Sequence, residues 1–124
     1  MSAKVLLVDD EKDFIDIMAE RMGARGMEVS AAGSAEDALK MVIAESYDAV
    51  IMDLMMPEMD GLKALKLFKN LRPGLSIILL TANVPEEKCL EAIKLGAMAV
   101  IEKPADLNLL TQKIEEAKAL KAKN

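Results

Sequence analysis

Val50-Ile51-Met52-Asp53-Leu54-Met55-Met56-Pro57-Glu58-Met59-Asp60-Gly61 is the stretch that decides the fold. An apolar, strand-like run ends in one acid, Asp53. A turn punctuated by Pro57 and Gly61 follows, and a helical pattern begins after it. That order puts a carboxylate at the carboxyl end of a buried strand, where open α/β sheets bind their ligands. Further out, three more strand-like runs end in polar groups of matching chemistry. Val5-Leu6-Leu7-Val8 runs into Asp9-Asp10, Ile77-Ile78-Leu79-Leu80 into Thr81, and Met98-Ala99-Val100-Ile101 through Glu102 into Lys103-Pro104. Three acids, a hydroxyl and an ammonium at strand ends suit a phosphate and metal site better than a core.

Short runs rich in Val, Ile and Leu alternate five times with longer amphipathic stretches, which predicts parallel strands covered by helices on both faces. Strands are expected over 4–8, 27–32, 49–52, 76–80 and 97–102. Helices are expected over about 11–25, from 35 through at least 43, 61–71, 85–95 and 105–121. In the first helix Phe14, Met18 and Met22 recur every four residues, and Gly26 closes it. Ser34 with Asp37 three residues on is a variant capping box, followed by a face of Ala35, Ala38, Leu39, Val42 and Ile43. The third helix should bury Ala64, Leu65, Phe68 and Leu71 before Pro73-Gly74 ends it. Pro85 suits the first turn of the fourth. The fifth turns Leu107, Leu110, Ile114 and Ala117 inward. The second strand is the most polar, so it belongs at an edge. With right-handed crossovers, the doubly wound order 2-1-3-4-5 follows. Its switch point lies between strands 1 and 3, beside Asp9, Asp10 and Asp53.

A length of 124 residues implies a single domain, 1–124. With 52% hydrophobic and 30% charged residues the chain has the composition of an ordinary globular protein. The net charge of −5 and scattered basic residues leave no electrostatic footprint for direct nucleic-acid binding. No apolar run reaches the length of a membrane span, and the N-terminus lacks the pattern of a signal peptide. A cytoplasmic location is expected. The single cysteine, Cys89, has no internal disulfide partner and reads as a small hydrophobe in the fourth helix. The chain contains no histidine, so any phosphohistidine chemistry belongs to a partner. The ten methionines fall mostly at core-facing or site-loop positions and read as packing.

Carboxylates held close together repel, and a divalent cation relieves them. Mg²⁺ takes a few carboxylate oxygens, keeps several waters and accepts phosphate oxygens. A carboxylate beside such a metal can be a nucleophile, as in aspartyl-phosphate formation. Phosphoryl transfer then needs positioning and charge neutralisation. Lys103 supplies a mobile point charge, and Thr81 a hydroxyl. Each residue also has a plainer reading: Asp9 or Asp10 as a helix N-cap, Lys103 as a surface lysine, Thr81 as a turn cap.

Taken together, Asp9-Asp10, Asp53 followed by Met56-Pro57 and Met59-Asp60-Gly61, Thr81-Ala82, and Lys103-Pro104 give the chain a close resemblance, over nearly its whole length, to the response-regulator receiver domains of two-component signalling (the CheY-like fold). The resemblance implies a flavodoxin-like (βα)5 fold and a phosphoacceptor switch. Asp53 would take a phosphoryl group from a phosphohistidine on a histidine kinase or histidine phosphotransfer protein. Asp10, Asp53 and the backbone carbonyl of Met55 would bind Mg²⁺, with Asp9 acting through metal-bound water. Lys103 would pair with the phosphoryl oxygens, and Thr81 would hydrogen-bond to one. The Lys103–Pro104 peptide would be cis. Such a domain catalyses only its own phosphorylation and dephosphorylation. No effector pattern follows the fifth helix, so output would run through a downstream protein or an effector domain of a longer chain. The helix 4, strand 5 and helix 5 face would be the docking surface.

Two positions depart from the family pattern. The family usually has an aromatic residue three before the strand-5 lysine, where this chain has Val100. Valine is short and stiff at χ1, so the usual threonine–aromatic switch cannot operate by ring rotation. Met55 stands where a polar side chain is common, and with Asn83 it flanks the path of the hydrolytic water, which makes both candidates for tuning dephosphorylation. The competing reading is a phosphorylation-independent interaction module on the same fold. Dinucleotide binding is disfavoured because Asp9-Asp10-Glu11 replaces a Gly-rich turn. A haloacid-dehalogenase-like phosphatase is disfavoured because Glu11 stands where a second Asp is needed.

Overall fold

The computed structural model describes residues 3–56 and 60–123. Pro57, Glu58 and Met59 of the turn lie outside the described residues. Five strands and five helices alternate: β1 (Lys4–Val8), α1 (Lys12–Ala24), β2 (Glu28–Ala32), α2 (Ala35–Ala44), β3 (Ala49–Asp53), α3 (Gly61–Leu71), β4 (Ile77–Thr81), α4 (Glu86–Lys94), β5 (Ala99–Glu102) and α5 (Leu107–Lys123). The sheet is parallel with order β2-β1-β3-β4-β5. The expected doubly wound α/β fold is the observed one. Polar β2 occupies an edge, as its mixed exposure requires.

Side-chain alternation explains why the central strands read as unbroken apolar runs. Leu6, Val8, Val50, Met52, Ile77 and Leu79 face one way, into a core closed by Ala38 and Val42 of α2, Leu65 and Phe68 of α3 and Ala92 of α4. Val5, Leu7, Ala49, Ile51, Ile78 and Leu80 face the other way, against Ile15, Met18 and Met22 of α1 and Leu110, Ile114 and Ala117 of α5. A strand buried on both faces needs apolar residues at both parities. Truncating a side chain such as the fully buried Phe68 to alanine costs about 3–5 kcal/mol.

Local chemistry sets the element ends. Ser34 Oγ accepts from the Asp37 N–H at 3.1 Å to cap α2. Asp60 Oδ1 accepts from Leu62 N–H at 3.0 Å to cap α3. The cap of α5 is Asp106, whose Oδ1 accepts from Asn108 and Leu109, so that helix starts two residues later than periodicity suggested. Gly26 (φ +89°) and Gly96 (φ +110°) end α1 and α4 in the left-handed region, which glycine enters at least cost.

Two expected core residues are not in the core. Ile43 is 58% exposed and Leu71 44%. Ile43 lies 100° around the helix from buried Val42 and in the last turn of α2, where it has rotated off the sheet. Leu71 is the final residue of α3 and lines a surface cavity with Arg72 and Leu75 instead of joining the core.

Candidate functional site

The strand register delivers the site. β1 and β3 end side by side, with Val8 opposite Met52, so Asp9 and Asp53 follow one another across the switch point. Alternation turns both to the α1/α5 side, because Val8 and Met52 before them face the other way. Lys103 continues the ladder beyond β5, its N–H bonded to the Thr81 carbonyl at 2.7 Å, and shares that parity with Ile101. Thr81 has the opposite parity.

Lys103 Nζ lies 3.0 Å from Asp9 Oδ2 and 3.2 Å from Asp53 Oδ2. Each carboxylate uses its other oxygen locally, in the same turn geometry. Asp9 Oδ1 accepts from Glu11 N–H and Asp53 Oδ1 from Met55 N–H, both at 2.9 Å. Asp10 is exposed, yet one of its oxygens lies within 4.8 Å of those of Asp9 and Asp53. Like charges this close repel, most strongly between the buried Asp9 and Asp53 and less at exposed Asp10, where water screens them. One ammonium among three carboxylates leaves a residual charge of −2. A divalent cation cancels that charge, and an all-oxygen donor set suits Mg²⁺.

Burial lowers the basicity of Lys103, but hydrogen bonding and charge from Asp9, then Asp53, outweigh it and hold the pKa above its ordinary value. The ammonium therefore stays charged across the neutral range. Its contribution to stability is complete below the usual lysine pKa and is lost only as pH climbs through the raised one.

Among the described residues the buried polar or charged side chains are Asp9, Asp53 and Thr81. All three belong to this site. Thr81 Oγ1 is buried and makes no hydrogen bond among the described residues, an arrangement costing about 1–3 kcal/mol unless a partner arrives. Val100 is half-buried on the same face as Thr81: Leu79 pairs with Val100 and Thr81 with Glu102, so the two lie one row apart. Lys103–Pro104 is cis. At the mouth, Met55 is 55% exposed and Asn83 holds a positive φ of 54°. An isolated antiparallel bridge joins Met55 to Asp60 and fixes the Met55 backbone beside Asp53.

Two contributors escaped the sequence reading. Gly61 packs so closely on the Leu54 backbone that an added Cβ would overlap the Leu54 carbonyl oxygen, so the start of α3 can lie against the end of β3 only with a glycine there. The Asp-Gly pair marks a helix start but not that contact. Phe14, read only as a helix-face residue, places its ring centroid 4.3 Å from Lys103 Nζ. A separation of 89 positions in sequence hides such a pair from local patterning.

The sequence model for "Response regulator receiver domain" matches residues 5–115. The chain belongs to that family, a class whose general function is that of a phosphorylation switch in two-component signalling. It is 36% identical over 115 residues to transcriptional regulatory protein ZraR of Salmonella typhimurium, covering 93% of this chain and 26% of the relative. It is 34% identical over 121 residues to regulatory protein AtoC of Escherichia coli, covering 95% and 26%. The chain thus spans about a quarter of the length of these relatives. A response regulator receiver domain protein from Clostridium thermocellum superposes with a TM-score of 0.92 at 30% identity, covering 97% of each chain. No helix among the described residues is long and apolar enough to cross a membrane.

Proposed function

We propose that Asp53 accepts a phosphoryl group from a phosphohistidine on a histidine kinase or histidine phosphotransfer protein. The bond from phosphorus to the histidine nitrogen breaks, a bond from phosphorus to an Asp53 oxygen forms, and the imidazole leaves. The observation that carries this reading is the concentration of buried polar side chains at one sheet edge, with Thr81 Oγ1 lacking a partner. Asp10, Asp53 and the Met55 carbonyl would hold Mg²⁺, with Asp9 supporting it through water. The metal would supply charge neutralisation between acceptor and phosphoryl oxygens. Lys103, already against Asp53, pairs with a phosphoryl oxygen as it arrives. Thr81 donates its hydroxyl to another, which relieves an unsatisfied buried group.

That new hydrogen bond pulls on the end of β4. In this chain Val100 offers no ring to swing, so the displacement passes through α4 and its flanking loops to the α4/β5/α5 face, where a partner protein or effector domain reads it. Met55, exposed at the mouth, fails to orient the hydrolytic water and lengthens the phosphorylated state. Asn83, exposed two residues beyond Thr81, is the second residue assigned to that tuning. A cytoplasmic setting follows from a kinase partner of this class.

Incubation with acetyl phosphate and Mg²⁺, followed by intact-mass analysis, tests the reading. One added phosphoryl group is expected, absent in Asp53→Asn and in metal-free samples. No adduct, together with no fluoroberyllate complex by NMR, overturns it in favour of an interaction module that works without phosphorylation.

A further inference from the structure

Among the described residues the Lys103 ammonium has three partners, and two of them have other tasks. Asp53 is the proposed acceptor, and Asp9 and Asp53 both belong to the acidic cluster suited to a cation. The third partner is the Phe14 ring, 4.3 Å from Nζ to centroid. The ring's negative face attracts an ammonium at that distance. Being neutral, it holds the cation without cancelling its charge, whereas each carboxylate cancels part of it. The ring is itself held in place, because half-buried Phe14 packs at the start of α1 against the α1/α5 core.

We propose that Phe14 is a positioning residue that keeps the Lys103 ammonium aimed at the Asp53 oxygens while the carboxylates change partners. The inference rests on the phosphoacceptor reading above. A lysine stem has four rotatable bonds, and a free ammonium would spread over many rotamers. Contact with the ring removes most of them before a phosphoryl donor arrives. An aliphatic side chain at position 14 would fill the same space but give no electrostatic preference for the ammonium. Mg²⁺ affinity should respond little, since Phe14 touches none of the proposed ligand atoms in the contacts described.

The test compares wild type, Phe14→Leu and Phe14→Tyr, which lacks and keeps an aromatic face respectively. In NMR spectra the Lys103 ε-methylene protons should be shifted upfield by the ring in wild type and in Phe14→Tyr, and return downfield in Phe14→Leu. The rate of adduct formation from acetyl phosphate at saturating Mg²⁺ should fall about five-fold in Phe14→Leu. It should stay within about two-fold of wild type in Phe14→Tyr. Mg²⁺ dissociation constants should agree within about two-fold across the three. An unchanged rate in Phe14→Leu, or an equal loss in Phe14→Tyr, overturns the proposal. Should Phe14→Leu fail to fold, Phe14→Tyr decides alone: a slow but folded Tyr variant removes the positioning role. If wild type itself takes no phosphoryl group, the acceptor reading fails and the kinetic role with it, and the chemical-shift comparison then shows whether the contact alone is real.

Discussion

Asp48 and Asp53 bracket β3, five positions apart, and their immediate surroundings look alike. Asp48 accepts from the Lys4 backbone N–H at 2.7 Å and pairs with Lys121 at 3.7 Å. Asp53 accepts from the Met55 N–H and pairs with Lys103. The charge balance around them differs. At the amino end Lys4 pairs with Glu45 at 3.5 Å, so two lysines meet two acids. At the carboxyl end, among the described residues, one lysine meets three acids. The amino end is a fastening and the carboxyl end an unfinished site. Shape does not separate them: a cavity of about 430 Å³ lies at the amino end, lined by Val42, Tyr47, Leu71, Arg72, Leu75 and Lys121. The proposed function rests instead on the unbalanced charge and on the hydroxyl that has no partner among the described residues.

The largest expected effect breaks the contact between the start of α3 and the backbone just after β3. Gly61→Ala forces a Cβ into the Leu54 carbonyl, and backbone there cannot yield as a side chain tip would. A loss of about 3 kcal/mol is expected in urea unfolding. Mg²⁺ affinity should also fall by about ten-fold, because the Met55–Asp60 bridge is displaced. A fully stable Gly61→Ala protein would show that the close approach is not needed.

Next in size is the fastening. Asp48→Ala removes the acceptor of a backbone N–H and a lysine partner, at a side chain only 14% exposed. The expected cost is about 1–2 kcal/mol, again by urea unfolding, with phosphorylation unchanged. If adduct formation slowed instead, the two ends of β3 would be coupled and not independent.

How much of this was legible follows the range of each interaction. Strand order came from β2's polarity and the handedness of crossovers, both local or topological. Asp9, Asp53, Thr81 and Lys103 were legible because each ends an apolar run, and the sheet edge gathers whatever ends its strands. Ile43 and Leu71 were misjudged because helical periodicity gives a direction and not the point where the helix leaves the sheet. The ring of Phe14 over Lys103 and the contact of Gly61 with Leu54 depend on atoms brought together by the fold, and no spacing rule encodes them. Asp106 was available as an N-cap residue before Leu107 but was masked by Ala105, a stronger helix former.

Met55 separates chemistry from stability at the carboxyl end. Its side chain is mostly in solvent, so Met55→Asn should leave the melting temperature within about 1 °C. The proposed role predicts that the polar amide orients water and that the phosphorylated form decays several-fold faster, followed by loss of the adduct mass with time. A decay no faster than that of wild type removes Met55 from the tuning of dephosphorylation.

Asp10→Asn carries a small effect on stability and the most specific sign. Asp10 accepts no hydrogen bond among those described, and its carboxylate shares a cluster with two others. Removing its charge relieves repulsion that Lys103, engaged with Asp9 and Asp53, does not offset. Because Asp10 is exposed, water screens most of that repulsion. Without divalent cations the variant should therefore melt about 1–3 °C above wild type. A cation bound by the folded state alone raises stability by mass action. The variant has lost a proposed ligand and gains less from it. At millimolar Mg²⁺ the order should reverse, with wild type melting higher. Asp48→Asn, at the balanced end, should melt below wild type with or without Mg²⁺. An Asp10→Asn protein that is less stable in both conditions would mean that the carboxyl end is a fastening too, and that its three acids are not held apart from equilibrium for a cation to join.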